Sequence, residues 1–190
     1  MDKISDDPAV QAAGVIHTLT EVNERECLAK LAREVPIGGK VMEIGALLGG
    51  VTAVLALANP GAHITTIDNF SWRPDDQMQT SAEIVMANMK KVGVRNVVVI
   101  TGDSKKLGGP QTAPIDLVWI DGGHEYDQAF SDLVLFGLRS KVIAIHDYDN
   151  PWLTIHKAVD DFIVFTGGAF KLTELVHWTA VLRRVDESNQ

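Results

Sequence analysis

The chain carries a single cysteine, Cys27. That excludes an internal disulfide framework, and a lone thiol fits a reducing compartment, so a cytoplasmic location is expected. It contains no apolar run of the ~18 residues that a membrane-spanning helix requires, so no membrane partner is expected. The opening residues, MDKISDDPAV, are too acidic for a secretory leader. Positive charge is also scarce. Lys and Arg number 17 against 25 Asp and Glu, a formal net charge of −8. That balance argues against a nucleic-acid surface. Lys90 with Lys91, and Lys105 with Lys106, are isolated pairs and read as solvated. Internal repeats and low-complexity blocks are lacking as well.

What is present is ordinary for a globular protein: 46% hydrophobic and 22% charged residues in 190. This length suits one domain spanning residues 1–190 with a substantial core. Residues 1–17 show no clear period and are expected to be a loose N-terminal segment. A helix is predicted from Thr18. Thr18 and Glu21 have capping-box spacing, and Leu28, Leu31, Ala32 and Val35 share one face. Pro36, Gly38 and Gly39 end it.

An alternation follows. KVMEIG, HITTID, NVVVIT, IDLVWID and KVIAIHD are short buried strands. Between or after them, VTAVLALA, residues 77–92, residues 125–138 and residues 153–165 have helical patterns. FKLTELV and TAVLRRV close the chain as two alternating runs. Only His177 and Trp178 separate them, which permits a hairpin and forbids a parallel crossover. Five strands with helices after most of them imply a parallel sheet covered on both faces. Such sheets bind ligands at the carboxyl ends of their strands. Glu43, Asp68, Asp103, Asp121, His146 and Asp147 stand at those ends, so all would point into one crevice.

The loop after the first strand, MEIGALLGGVT, carries Gly45 and Gly49, where the backbone can turn tightly and approach a ligand. It is not the dinucleotide fingerprint, because Leu47 occupies the middle glycine position. Glu43 would repel a pyrophosphate but tolerate the cationic end of a ligand. Asp68, 23 residues after Gly45, can accept hydrogen bonds from ribose hydroxyls, or simply cap its turn. Asp103 and Ser104 can hold the rim of a nucleobase, or form a Gly-Asp-Ser turn. Acidic groups without a phosphate clamp suit a positively charged nucleoside, and S-adenosylmethionine has a ribose, an adenine, a zwitterionic amino acid and a sulfonium.

MEIGALLGGVT, TIDNF, TGDSKKL, DLVWIDGGHEYDQAFSDL and IAIHDYDNPWLTIHKAVDDF, in that order from Val41 to Phe162, resemble the class I S-adenosylmethionine-dependent methyltransferases. The likeness is greatest to the small O-methyltransferase families with a Glu-x-Gly-x-x-x-Gly first motif. The resemblance implies a Rossmann-like, doubly wound, seven-stranded α/β sheet, mostly parallel, with an antiparallel C-terminal hairpin strand. It implies that Glu43, Gly45 and Gly49 shape the methionine end of the cofactor site, with Ala46 and Thr52 as further cofactor-binding candidates in the same loop. Asp68 would bind the ribose, and Asp103 with Ser104 the adenine region; Asn69 and Asp121 are further cofactor-binding candidates. Val51 departs from the family, which carries Ser or Thr there.

Methyl transfer to a hydroxyl needs an aligned acceptor and a route for its proton. His124 can take that proton near neutral pH. Alternatively, a divalent cation can bind the acceptor oxygen and lower its pKa. Asp121, His146 and Asp147 lie at adjacent strand ends and form a candidate ligand set. Related metal-dependent enzymes carry acids at the positions of Asp121 and Asp147. His146 stands where they carry an acid, which favours Mn²⁺ or another transition metal over Mg²⁺. Catalytic candidates are therefore His124, Asp121 and Asp147. Trp72 and Trp152 sit on loops that can cover an acceptor or anchor those loops.

The expected function is methyl transfer from S-adenosylmethionine to a small-molecule oxygen, with N-methylation open and a homodimer permitted. Two other classes are weighed: a nicotinamide dinucleotide-dependent oxidoreductase or epimerase, and a non-catalytic cofactor-binding domain. Glu43 and Leu47 disfavour the first, and the set His124, His146 and Asp147 disfavours the second.

Overall fold

The central apolar runs become strands because they are buried on both faces, where a continuous Val/Ile/Leu stretch is stable, while the run Val97–Thr101 forms an edge strand with Val98 exposed. The computed structural model describes residues 5–74, 76–107 and 113–185. In chain order the elements are α1 (Pro8–Ala13), α2 (Val22–Glu34), β1 (Lys40–Ile44), α3 (Gly50–Ala58), β2 (His63–Asp68), α4 (Ala82–Lys91) and β3 (Val97–Thr101). There follow α5 (Ser104–Leu107), β4 (Ile115–Ile120), α6 (Tyr126–Leu135), β5 (Ser140–Ile145), α7 (Ile155–Phe165), β6 (Phe170–Val176) and β7 (Thr179–Arg184). They build one seven-stranded sheet in the order β3-β2-β1-β4-β5-β7-β6. Strands β1 to β5 are parallel, and β7 runs antiparallel to both β5 and β6. The mostly parallel sheet with an antiparallel terminal hairpin is the architecture expected from the sequence.

Strand β4 shows how the core is divided. Leu117 and Trp119 face a cluster with Leu28, Leu31, Val54 and Leu55, whereas Val118 and Ile120 face one with Leu133, Val159 and Phe162. The period of two in a strand sends alternate side chains to opposite layers. Helix α3 has nearly every residue buried because α1 and α2 cover its outer side. The strand order reverses between β1 and β4, and a small crevice lies beside that point, beyond the carboxyl ends of β4 and β5.

Four sequence expectations are corrected. The N-terminal segment is not loose over its described part. Asp7 caps α1 by accepting from Ala9 N (2.9 Å) and Val10 N (3.4 Å), with Pro8 at the first helical position. Ala9, Val10 and Ala13 are buried, and Arg33 of α2 donates two hydrogen bonds to Asp7 at 2.6 and 2.9 Å. Six helical residues are too few to show a period. Residues 1–4 lie outside the described residues.

The second helix begins at Val22, not Thr18. Its capping box pairs Glu21 with Glu24, so the box is displaced by one turn from Thr18 and Glu21. The third correction concerns residues 77–92. Ser81 accepts from Ile84 N and starts α4 at Ala82, leaving residues 77–80 outside the helix. Similarly, the helical pattern over 125–138 resolves into α6 and a separate 3₁₀ turn, Gly137–Arg139.

Candidate functional site

The loop between β1 and α3 is held by backbone geometry. Gly45 has φ +95°, and a Cβ there would lie 2.0 Å from the carbonyl oxygen of Asp121. Any side chain would force the ends of β1 and β4 apart. Gly49, with φ +85°, is the N-cap of α3. Leu47 also has a positive φ, +52°, at the position where a dinucleotide fingerprint would carry glycine. Asp68, at the end of β2, clamps the loop from the side. Its Oδ2 accepts from Ala46 N and Leu47 N, both at 2.8 Å, and its Oδ1 accepts from Phe70 N at 2.7 Å.

Glu43 differs from its expected role. It is fully buried beneath the loop, with Thr52 Oγ1 donating to its Oε2 at 2.5 Å. It has no exposed surface to offer the cationic end of a ligand. Burial pushes its carboxyl up to about 8, against the pull of the Thr52 hydroxyl. Its Oε1 has no hydrogen-bond partner among the described residues.

On the adenine side, Asp103 is partly exposed and accepts from Lys105 N at 3.0 Å. Asn69 is exposed and accepts from Ser71 N and Oγ. Ser104 is buried instead of open. Its hydroxyl donates to Asp132 Oδ1 at 2.7 Å and accepts from Gln128 Nε2 at 3.0 Å. Asp132 is fully buried on α6, and burial raises its carboxyl against those hydrogen bonds. The sequence reading missed Asp132 and Gln128. The available signal was a carboxylate at 132, in phase with Ala129 on the buried face of its helix.

Asp121, His124, His146 and Asp147 converge as expected and line one small crevice with Gly122 and Gly123. His124 Nδ1 lies 2.6 Å from Asp147 Oδ2. His146 Nδ1 lies 3.3 Å from Asp121 Oδ1 and 3.5 Å from Asp147 Oδ2, yet has no aligned hydrogen bond. Asn150 donates to the other Asp147 oxygen at 2.9 Å. Asp147 itself has φ +60°, a left-handed conformation uncommon outside glycine. Trp72 meets His124 edge-on at 6.1 Å between ring centres, and Trp152 is largely exposed.

Charge is strongly coupled across this cluster. The Asp147 hydrogen bond raises His124 despite burial. Burial alone would lower His146, but the carboxylates of Asp121, Asp147 and Glu24 outweigh it and push the ring up to about 12. Burial alone would raise Asp147, but bonds from His124, His146 and Asn150 hold it far below the usual carboxylate range.

Glu24 was also missed by sequence reasoning. It is fully buried on α2, and its Oε2 lies 3.3 Å from His146 Nε2. Its spacing to Leu28 and Leu31 placed it on the buried face, but pairing Thr18 with Glu21 as the capping box passed over Glu24, which lies in the first turn of the helix that begins at Val22.

The donor atoms of Asp121, His146 and Asp147 all lie within 4.8 Å of one another. The set suits a divalent cation. Two carboxylates and an imidazole are its ordinary ligands, and His146 Nδ1, which makes no aligned hydrogen bond, faces the carboxylates of both Asp121 and Asp147.

An α/β sheet in this strand order, with a glycine loop after β1 and acids at the carboxyl ends of its strands, has the class I S-adenosylmethionine-dependent methyltransferase fold. Residues 42–148 match the family described as "Methyltransferase domain", and the chain belongs to that family. No curated protein matches the chain. Among solved structures, cofactor-bound Rv0187 from MTB is 21% identical with a TM-score of 0.69, covering 94% of this chain and 90% of its own. The O-methyltransferase TomG from Streptomyces achromogenes, involved in tomaymycin synthesis and solved with SAM, is 20% identical with a TM-score of 0.66, over 96% and 91% of the two chains. An rRNA methylase from Streptococcus thermophilus is 14% identical with a TM-score of 0.63, over 90% and 100%. Among the described residues, no helix is long and apolar enough to cross a membrane.

Proposed function

We propose that this methyltransferase moves the methyl group of S-adenosylmethionine to a hydroxyl oxygen of a small-molecule acceptor. The observation that carries the reading is the 2.6 Å contact between His124 and Asp147 at the mouth of the crevice. With Nδ1–H donated to Asp147, the lone pair of His124 lies on Nε2. That atom accepts the acceptor's proton as its oxygen attacks the methyl carbon. The C–S bond breaks with its electrons going to sulfur, and S-adenosylhomocysteine leaves.

The Gly45 to Gly49 loop, with Ala46 and Thr52, is read as the methionine end of the cofactor site. Asp68 already accepts three backbone hydrogen bonds. A carboxylate has about four acceptor positions, so one remains for a ribose hydroxyl, with Asn69 beside it. Asp103 and Asp121 are read as the adenine side, where Ser104 acts through Asp132 and Gln128. TomG bound to SAM on the same fold supports this cofactor. An rRNA methylase shares the fold too, so the fold alone does not select the acceptor. The net charge of −8 favours a small molecule over nucleic acid.

A second reading adds a divalent cation, Mg²⁺ or Mn²⁺, held by Asp121, His146 and Asp147. The convergence of the three donor groups within 4.8 Å, with His146 Nδ1 making no aligned hydrogen bond to either carboxylate, favours it, with Mn²⁺ preferred for its nitrogen ligand. When bound, such an ion would polarise the acceptor oxygen and lower its pKa.

Calorimetric titration of chelator-treated protein with S-adenosylhomocysteine, then with Mn²⁺ and Mg²⁺, tests both readings. Binding of S-adenosylhomocysteine is expected. Binding of NAD in its place would overturn the cofactor assignment. Absence of any metal heat would leave His124 as the sole proton acceptor.

A further inference from the structure

Glu24 is a carboxylate with no exposed surface and no lysine or arginine partner among the described residues. Its Oε1 accepts from Thr179 Oγ1 of β7 at 2.7 Å. Its Oε2 accepts from Glu21 N at 3.0 Å, faces His146 Nε2 at 3.3 Å and lies 3.7 Å from His177 Nδ1. Thr179 is fully buried as well. Burying a carboxylate is costly unless hydrogen bonds and opposite charge compensate it. Here the compensating groups are one hydroxyl, one backbone amide and two imidazoles. A helix cap alone does not require this, because capping-box acids work at the solvent edge.

The relation to His146 gives the residue a use. The ring is held from both sides by acids, with Glu24 at Nε2 and Asp121 with Asp147 at Nδ1. A ring that donates Nε2–H to a fixed carboxylate presents Nδ1 in one direction only. Glu24 is itself fixed by Thr179 on β7 and by the first turn of α2. The position of the ring thus depends on two elements that contribute none of the four crevice residues.

We propose that Glu24 is a positioning residue for His146: by holding Nε2–H it aims the Nδ1 atom at the space between Asp121 and Asp147. This rests on the reading of those three residues as a cation site, and it makes Glu24 the acid behind that site's histidine ligand. Partners of this kind commonly change metal affinity ~10–100-fold when removed.

Mn²⁺ titrations of wild-type protein, Glu24→Gln and Glu24→Ala test it, each alongside S-adenosylhomocysteine titration and thermal unfolding. Glu24→Gln is expected to weaken Mn²⁺ about 10-fold and Glu24→Ala by more, because a neutral amide accepts more weakly than a carboxylate. Affinity for S-adenosylhomocysteine should be unchanged in Glu24→Gln. Unaltered Mn²⁺ affinity in both variants, or parallel loss of Mn²⁺ and S-adenosylhomocysteine, would overturn the proposal. A metal-free measurement separates it from the cation reading. In ¹⁵N-histidine spectra at one fixed pH, His146 of the wild type should show a slowly exchanging Nε2–H that disappears in Glu24→Ala. If wild-type protein binds no Mn²⁺ but shows that proton, the cation reading falls and the positioning role stands. A wild-type His146 lacking the Nε2 proton would sink the positioning role whatever the metal result.

Discussion

His124 Nδ1 and Asp147 Oδ2 are 2.6 Å apart, although one follows β4 and the other follows β5. Parallel pairing of the two strands brings their ends together, with Ile120 opposite Ile145. The Asp147 carboxylate is fixed in turn by Asn150, so the imidazole has one preferred orientation.

His124→Ala is therefore expected to lower turnover by ~10²–10⁴-fold, the usual contribution of a positioned base. Calorimetric affinity for S-adenosylhomocysteine should stay at the wild-type value, because the ring is read as facing the acceptor. Equal losses in turnover and cofactor affinity would make His124 a structural residue.

Asp68 offers a second test. Its three backbone hydrogen bonds mean that Asp68→Ala strips the first loop of its clamp as well as any ribose contact. Stability should fall by about 1–3 kcal/mol, the penalty for leaving such groups without partners. S-adenosylhomocysteine binding should weaken in the same variant. Urea unfolding and calorimetry together decide it: weaker binding at unchanged stability would assign Asp68 to the ribose alone.

Glu43 carries a pH prediction. Its carboxyl is raised to about 8 in the folded chain from an ordinary 4.5, chiefly by burial. An acid raised on folding is protonated more readily in the folded state. Its stabilising effect is complete below the unfolded value of 4.5 and is lost as pH rises through 8. Glu43→Gln keeps an acceptor for Thr52 and removes the titration. Relative to this variant, the ligand-free wild type should lose stability progressively from pH 4.5 to 8, by on the order of a few kcal/mol, and then level off. Urea unfolding at a series of pH values reads this directly, and a constant gap between the two proteins would show that Glu43 does not titrate there.

Strand positions and the acids at their ends were legible in the sequence because parallel-sheet strands are short, apolar on both faces and stop abruptly. Asp121, His124, His146 and Asp147 could be grouped for that reason. The direction of a side chain could not be read the same way. Asp68 is the last residue of β2, whereas Glu43 lies inside β1 opposite Thr66, so one turns along the side of the loop and the other lies under it; that difference in level depends on strand register. Glu24 and Asp132 were hidden because each is an acid in the apolar phase of a helix. Their partners, Thr179 for Glu24 and Ser104 for Asp132, lie far away in sequence.

Asp7 shows the cost of reading a six-residue helix by periodicity. It caps α1 and accepts two hydrogen bonds from Arg33, which ties the N-terminal segment to α2. Those bonds, chiefly the pair from Arg33, hold its carboxyl below the usual 3.8. An acid lowered on folding stabilises the fold fully above the unfolded value. That contribution is lost as pH falls through the lower folded value. Asp7→Ala should cost about 1–2 kcal/mol at neutral pH, mainly through the cap, since Arg33 is partly exposed and its ion pair is screened. The difference from wild type should shrink below pH 3.8 as the wild-type carboxyl is protonated. Limited proteolysis at neutral pH should cut the variant within residues 5–17 faster than the wild type, since the cap holds the first turn of a helix that packs on α2 and α3. Equal cleavage rates and equal stability would mean that burial of Val10 and Ala13 fixes α1 without the cap.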